Sequence, residues 1–383
     1  RTFGHWRTTV GGLKSEAWYR LGVSLRTDQV AAPAHEVCLK VTWVNARAEP
    51  LRMDYISRRE PLADGWQRAE EVYRAPAGAS GLELELSLRW TAGSVAFDEV
   101  TVTPAEPRPP RTIKVATVCF EPRSGGAEIN RVLWAQQVDE AGKLGADLVC
   151  LGEGITVVGT GLGYLEVAEP VPGPTVEVLG EMARKHDLYI VAGVYEQEGR
   201  SCYNTALLIG PDGQLVGRYR KTHLPESEAA AGLTPGTTYP VFATRFGLVG
   251  MQVCYDNFFP EVARALAVNG AELICTPIWG DGRSEGLAWD LIPRARAIDN
   301  GVWFVASNYS QKRSLIVDPW GGVRADTKGE HGIAVCEINL DERRQQPWLS
   351  SRPGGYWEEL YRQERRPTTY GDLLASPAAP GED

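Results

Sequence analysis

Three side chains of complementary chemistry stand in the middle of the chain: the carboxylate of Glu153 in LVCLGEG, the ammonium of Lys221 in GRYRKTHLPE and the thiol of Cys254 in GMQVCYDNFFPE. Each lies at or just past the end of an apolar run of strand length, where α/β sheets build their sites. A thiol with an ordinary pKa of about 8.5 needs help to ionise at neutral pH, and a neighbouring ammonium is one source of it. A carboxylate can carry the proton away. Together the three types suit covalent catalysis by a cysteine nucleophile. Taken singly, each has a plainer reading, as a solvated carboxylate, a surface lysine and a core thiol.

The elements that must position these groups read as α/β layers. Apolar runs such as IKVATVCF, ADLVCLGE, YIVAGVYE, YNTALLIG, GLVGMQVCYD, AELICTPIW, GVWFVASN, RSLIVDP and GIAVCEI alternate with the helical segments INRVLWAQQVDEAGKLG, TVEVLGEMARKHD, PEVARALAVNG and LIPRARAIDNG. Upstream the grammar is different. AWYRLGVSLR, VCLKVTWVNA, LELELSLRW and VAFDEVTVTP alternate with a period of two, which predicts antiparallel strands uninterrupted by a helix of convincing length. Four prolines in PAEPRPPR mark a stiff linker between the two regions. The expected organisation is a β-sandwich of jelly-roll type over residues 1–105, a linker over 106–112, an α/β domain over 113–345 and a C-terminal arm or tail over 346–383.

Over residues 113 to 345 the chain resembles the nitrilase, or carbon-nitrogen hydrolase, superfamily. The resemblance rests on Glu153, Lys221 and Cys254 in this order, with PDGQLVGRYRKTHL before the lysine, FFPEVARALAVNGAEL after the cysteine and RARAIDNGVWFVASN beyond. It implies a four-layer α-β-β-α sandwich, a homodimer or larger homo-oligomer, no metal and no organic cofactor. It also implies hydrolysis of a non-peptide C–N bond, with Cys254 as nucleophile and Lys221 as its charged neighbour. Glu153 would take the thiol proton, and the backbone N–H of Tyr255 would be a second oxyanion donor. Superfamily members place a second glutamate in the loop before a Pro-Gly pair. Here the pair is Pro235-Gly236, and Glu228 is preferred to Glu226 for that role, with a spacing one residue longer than in relatives. His223, beside the lysine, is assigned a structural role, since Glu153 already fills the post of base.

Substrate choice is read from the residues after the cysteine. Tyr255-Asp256 resembles the amidase and carbamoylase branches, whereas true nitrilases usually carry Trp-Glu there. Carbamoylases often follow the cysteine with carboxylate-binding arginines. Here those positions are Asn257, Phe258 and Phe259, which favours a small-molecule amide with a neutral acyl group. Trp279, in TPIWGDGRS, sits where family members line the pocket or pack the core, and Arg283 on the same loop keeps an N-carbamoyl substrate as the alternative. Acyl transfer to an amine would use the same residues. The N-terminal sandwich resembles carbohydrate-binding or galactose-binding-like modules. Trp6, Trp18, Trp43, Trp66 and Trp90 are either core residues or a platform for a glycan, the reading that a binding protein with a non-catalytic second domain would require.

Composition narrows the field. The 383 residues include 43% hydrophobic and 23% charged side chains, as in a folded globular protein. A formal charge of -9 and the lack of a long Lys/Arg block argue against nucleic acid, and no apolar run has the length of a membrane span. The first residue is Arg rather than Met, so cytoplasmic and exported locations both stay open. The seven cysteines follow neither a disulfide framework nor a zinc spacing.

Overall fold

A computed structural model describes residues 4–123, 125–280, 287–310, 313–348, 351–356, 359 and 364–374. The chain divides into two compact units, one formed by residues 1–109 with 343–383 and the other by 110–342.

The first unit holds two antiparallel four-stranded sheets. One runs in the order β1 (Gly4–Gly11), β7 (Gly81–Leu88), β3 (Val37–Val44), β4 (Pro50–Tyr55), and the other β5 (Arg59–Pro61), β6 (Gln67–Arg74), β2 (Trp18–Asp28), β8 (Ser94–Pro104). The period of two sends Leu21, Val23 and Leu25 of β2 into the same core as Val37, Leu39 and Val41 of β3 and Leu82, Leu84 and Leu86 of β7. A four-residue helix, α1 (Pro33–Glu36), is the only α-helix described between residues 4 and 109. Trp43 is fully buried, and its indole N–H donates to Asp54 at 2.6 Å, so it is a core residue rather than part of a surface platform. The segment read as an arm or tail contributes β21 (Gln345–Trp348), β22 (Ser351–Tyr356) and Glu364, which accepts a hydrogen bond from the Tyr55 hydroxyl.

The second unit is built on two mixed six-stranded sheets. The first has the order β13 (Leu215–Arg220), β12 (Ser201–Ile209), β11 (Tyr189–Glu198), β10 (Leu148–Cys150), β9 (Thr112–Cys119), β20 (Gly332–Asn339). The second runs β14 (Val241–Ala243), β15 (Leu248–Met251), β16 (Leu273–Ile278), β17 (Trp303–Asn308), β18 (Leu315–Val317), β19 (Val323–Asp326). The central strands β9, β10 and β11 pair in parallel, as do β15, β16 and β17. Strands covered on both faces read as unbroken apolar runs, which is why YIVAGV in β11 is buried at every position.

One face of the first sheet, with Ala116, Val118, Val149 and Ile190, meets Trp134 and Val138 of α2 (Ala127–Lys143) and Leu179 and Ala183 of α3 (Pro174–His186). The other face, with Val115, Leu148, Cys150 and Val191, shares a core with Met251, Leu273 and Val305 of the second sheet. That sheet also packs with Val262 and Leu266 of α5 (Pro260–Val268) and Ala297 of α6 (Leu287–Asn300). Local sequence explains helices such as α3. Proline opens it, Val176, Leu179, Gly180 and Ala183 form its buried stripe, and Arg184, Lys185 and His186 face the negative end of the macrodipole. Among the described residues, no helix is long and apolar enough to cross a membrane.

Candidate active site

Two predicted strands end earlier than their apolar character suggests, and the early ends create the site. The strand expected through Glu153 stops at Cys150, and the one expected through Asp256 stops at Met251. Cys254 instead opens a 3₁₀ turn over Cys254–Phe258, with its own φ at +41°, a left-handed conformation costly for a side chain with a Cβ. Its surroundings hold it there. The buried Asp256 carboxylate accepts the Val253 N–H at 3.1 Å, the Tyr219 hydroxyl at 2.8 Å, the Thr222 hydroxyl at 3.1 Å and the His223 N–H at 3.0 Å. Asn257 donates to the Cys254 carbonyl at 2.9 Å and accepts from Gln252 at 2.9 Å.

The Glu153 loop is held against β11, where the Gly193 N–H donates to Gly152 O and the Ile155 N–H to Gly193 O. A Cβ at position 193 would lie 2.7 Å from Glu153 Cα, so the close approach requires glycine. Lys221 follows β13, and Glu228 lies on α4 (Glu226–Ala230), a short helix after Pro225.

These elements bring a thiol, an ammonium and two carboxylates together out of solvent. Lys221, Glu153, Glu228 and Cys254 are 1%, 2%, 4% and 9% exposed. The Lys221 ammonium donates to Glu153 Oε1 and to Glu228 Oε1, both at 2.9 Å. The other Glu153 oxygen, Oε2, accepts the Trp279 backbone N–H at 2.8 Å. The Cys254 thiol lies close enough to the Glu153 carboxylate and to the Gly280 backbone for each to act on its ionisation. Tyr164 stacks on Tyr195 at 4.7 Å, and the pKa of both phenols is raised by burial and by the charges of the two glutamates, so both rings flank the cluster.

Lys221 favours the thiolate of Cys254, but burial and the Glu153 charge outweigh it and push the thiol pKa upward. Burial alone would raise Glu153, but the Lys221 charge and hydrogen bonds from Lys221, Cys254 and Asn204 reverse the shift and keep it a carboxylate. Glu228 is pushed up to about 7 by burial and by the Glu153 charge. Lys221 loses to burial but gains more from Glu153, Cys254 and Glu228, and it stays protonated. The arrangement therefore holds a proton on sulfur next to an ionised acceptor.

Of the residues singled out from sequence, Glu153, Lys221, Cys254 and Glu228 converge. Glu226 lies exposed at the start of α4. Tyr255 follows the cysteine in the 3₁₀ turn, whose first N–H groups have no partner within the turn. Trp279 reaches the cluster through its backbone, and its indole ring packs 5.8 Å from that of Tyr309. Arg283 lies outside the described residues. His223 pairs with Asp256 and stacks on Phe259 at 3.9 Å, away from Glu153. Asn257 is scaffold rather than pocket wall, while Phe258 is half-exposed beside Trp289. Sequence reasoning missed Asn204 and the anchoring role of Asp256. The signal for Asn204 was a lone polar residue in the apolar strand YNTALLI. Among the described residues, no group of three His, Cys, Asp or Glu side chains is placed to hold a metal.

Comparison with known proteins adds to this geometry. The sequence model of carbon-nitrogen hydrolases matches residues 114–347. An omega-amidase of Danio rerio is 34% identical over 241 residues, which span 56% of this chain and 86% of that protein. A deaminated glutathione amidase of Synechocystis sp. is 32% identical over 242 residues, 56% of this chain and 89% of the relative. Among solved structures, Saccharomyces cerevisiae Nit3, a member of branch 10 of the nitrilase superfamily, aligns with a TM-score of 0.55 at 28% identity, covering 60% of this chain and 90% of that one.

Proposed function

Because this chain belongs to the carbon-nitrogen hydrolase family and is an amidase-like enzyme within it, we propose that it hydrolyses a small-molecule amide through an acyl-enzyme on Cys254. In this reading the second unit is a four-layer α-β-β-α sandwich, and the first is a jelly-roll module appended to it.

The observation that carries the mechanism is the buried Cys254 thiol beside a Glu153 carboxylate that Asn204, Lys221 and the Trp279 N–H all hold as donors. As sulfur attacks the amide carbon, its proton passes to Glu153 and the carbonyl π electrons move onto oxygen. The Lys221 ammonium and the Tyr255 N–H stabilise that oxyanion. Collapse breaks the C–N bond, and Glu153 gives its proton to the departing amine. Water then loses a proton to Glu153 and attacks the thioester. The second tetrahedral intermediate expels the thiolate, which takes back the proton from Glu153 and leaves a carboxylic acid. Starting from a neutral thiol, the site moves the proton during attack and keeps no buried thiolate waiting.

The amide reading also draws on the relatives, which are amidases by name, and on the residues after the cysteine. Asn257 is committed to scaffold and Phe259 to His223, so neither offers the cation that a carboxylate-bearing carbamoyl substrate would need. The test is turnover of a panel of primary amides, N-carbamoyl compounds and nitriles by wild type and Cys254→Ala. Amide turnover by wild type alone is expected. Near wild-type rates in folded Cys254→Ala would exclude the mechanism, and turnover restricted to another class would exclude the amide assignment.

A further inference from the structure

We propose that Asn204 is a positioning residue of this site, whose single side-chain amide clamps Glu153 and Glu228 together and fixes both relative to the nucleophile. The inference rests on the amide-hydrolase reading and extends it to a residue outside the Glu–Lys–Cys set.

The clamp is built by one rung of a hairpin. Strands β12 and β13 pair with Thr205 opposite Arg220, and the next rung outward sets Asn204 opposite Lys221, whose N–H donates to Asn204 O at 2.8 Å. Directly opposed residues present their side chains on the same face. The two donors therefore emerge side by side, and both carboxylates come to them from other elements.

Asn204 Nδ2 donates to Glu153 Oε1 at 2.7 Å and to Glu228 Oε1 at 2.8 Å. Lys221 Nζ reaches the same two oxygens, so two nitrogens and two oxygens alternate in a closed ring. A side-chain amide has two N–H donors, and both are used. The reverse orientation would set Oδ1 against two carboxylate oxygens, so the chemistry fixes which way the amide points.

The clamp answers a charge problem. Two buried carboxylates share one buried ammonium, and their mutual repulsion opposes the shared geometry. A second cation would hold them together but would weaken Glu153 as a proton acceptor. A neutral double donor holds them and adds no charge. Asn204 itself is fully buried, and its Oδ1 has no hydrogen-bond partner, so the side chain faces this cluster alone.

The test compares Asn204→Ala and Asn204→Asp with wild type, reading the pH profile of kcat/KM and the pH profile of Cys254 alkylation by iodoacetamide, located by mass spectrometry. Removing the donors weakens the ionised forms of both glutamates, so protonation sets in at higher pH. In Asn204→Ala the acid limb is expected to move up by about one pH unit and the plateau to fall about tenfold to a hundredfold. Asn204→Asp keeps the shape but replaces two donors with a third carboxylate, and its loss is expected to be the larger. A packing role predicts the reverse order. Should Asn204→Ala fail to fold, Asn204→Ser, which retains one donor, is expected to show a smaller shift in the same direction. Profiles of a folded Ala or Ser variant that superimpose on wild type, or an Asp variant milder than Ala in both readouts, would overturn the proposal. Alkylation needs no turnover. A wild type inactive on every amide would count against the amide reading while the alkylation profile still judges Asn204.

Discussion

Two buried charge clusters lie on adjacent rungs of the β12–β13 hairpin, on opposite faces, and they are wired in opposite ways. On the Thr205–Arg220 rung, Glu196 is fully buried as a single carboxylate between two guanidiniums. Its Oε1 accepts from Arg218 at 2.5 Å and Arg220 at 2.6 Å, and its Oε2 accepts from Arg220 at 3.0 Å and Thr205 at 2.8 Å. On the Asn204–Lys221 rung, two carboxylates share one ammonium and one amide. Glu198 shares the same two guanidiniums, 2.9 Å from Arg218 and 2.8 Å from Arg220, so the first cluster is balanced in charge and its buried Glu196 has no oxygen to spare. The second carries excess negative charge and leaves Glu228 Oε2 and Asn204 Oδ1 buried without a partner. Burying charge is unfavourable unless it is compensated, so a structural cluster is built to be satisfied. Under the proposed function, these two acceptors beside the thiol are where a substrate amide would place its N–H donors.

That contrast can be broken most severely at the proton acceptor. Glu153→Gln keeps the side chain's size but cannot take the thiol proton, and kcat/KM on the best amide should fall by about a thousandfold or more, with the circular dichroism spectrum unchanged. Loss of less than about tenfold would mean that another base acts, and the two clusters would no longer differ in kind.

Removing a cation from each cluster sharpens the comparison. Lys221→Met leaves two buried carboxylates with no ammonium, which should cost about 3–5 kcal/mol in urea unfolding and abolish turnover. Arg220→Met leaves Glu196 with Arg218 and Thr205. A smaller loss of stability is expected there, with kcat within a few-fold of wild type. Equal kinetic damage from both would contradict the division into structural and reactive clusters.

The smallest expected effect is a pH dependence. Glu228 has a folded-state pKa raised to about 7 from an ordinary carboxylate value of 4.5. The folded state therefore holds this proton more tightly than the unfolded chain, and stability from this group is lost as pH rises between those two values. At pH 8 the penalty is on the order of 2–3 kcal/mol. The neutral side chain of Glu228→Gln removes it, so the Tm of the variant minus that of wild type should become more positive from pH 5 to pH 8. A difference that stays flat would show that Glu228 does not titrate in this range.

Much of the site was legible before any coordinates. Glu153, Lys221 and Cys254 stand in distinctive local sequence at strand ends, and Glu228 was separable from Glu226 by its place before Pro235-Gly236. What stayed hidden depended on three-dimensional neighbours. Asn204 looks like any polar residue in a strand until pairing sets it beside Lys221. The ammonium near Cys254 suggested a thiolate, because neither burial nor the Glu153 charge on the same sulfur can be read from spacing. The apolar run through Val253 predicted a longer β15, whereas the Asp256 carboxylate captures the Val253 N–H and turns the chain at Cys254. In the first unit, the alternation in LELELSL placed Leu82, Leu84 and Leu86 in the core, but it did not show that Glu85 and Ser87 of the other face are buried as well.

The most direct test of the central claim is intact mass spectrometry of the wild type and Cys254→Ala, mixed with a primary amide substrate and quenched in acid during turnover. The account predicts an adduct on wild type equal to the acyl group, mapped by peptide analysis to Cys254 and absent from the variant. Rapid amide turnover with no adduct at any quench time, or an adduct that persists on Cys254→Ala, would contradict it.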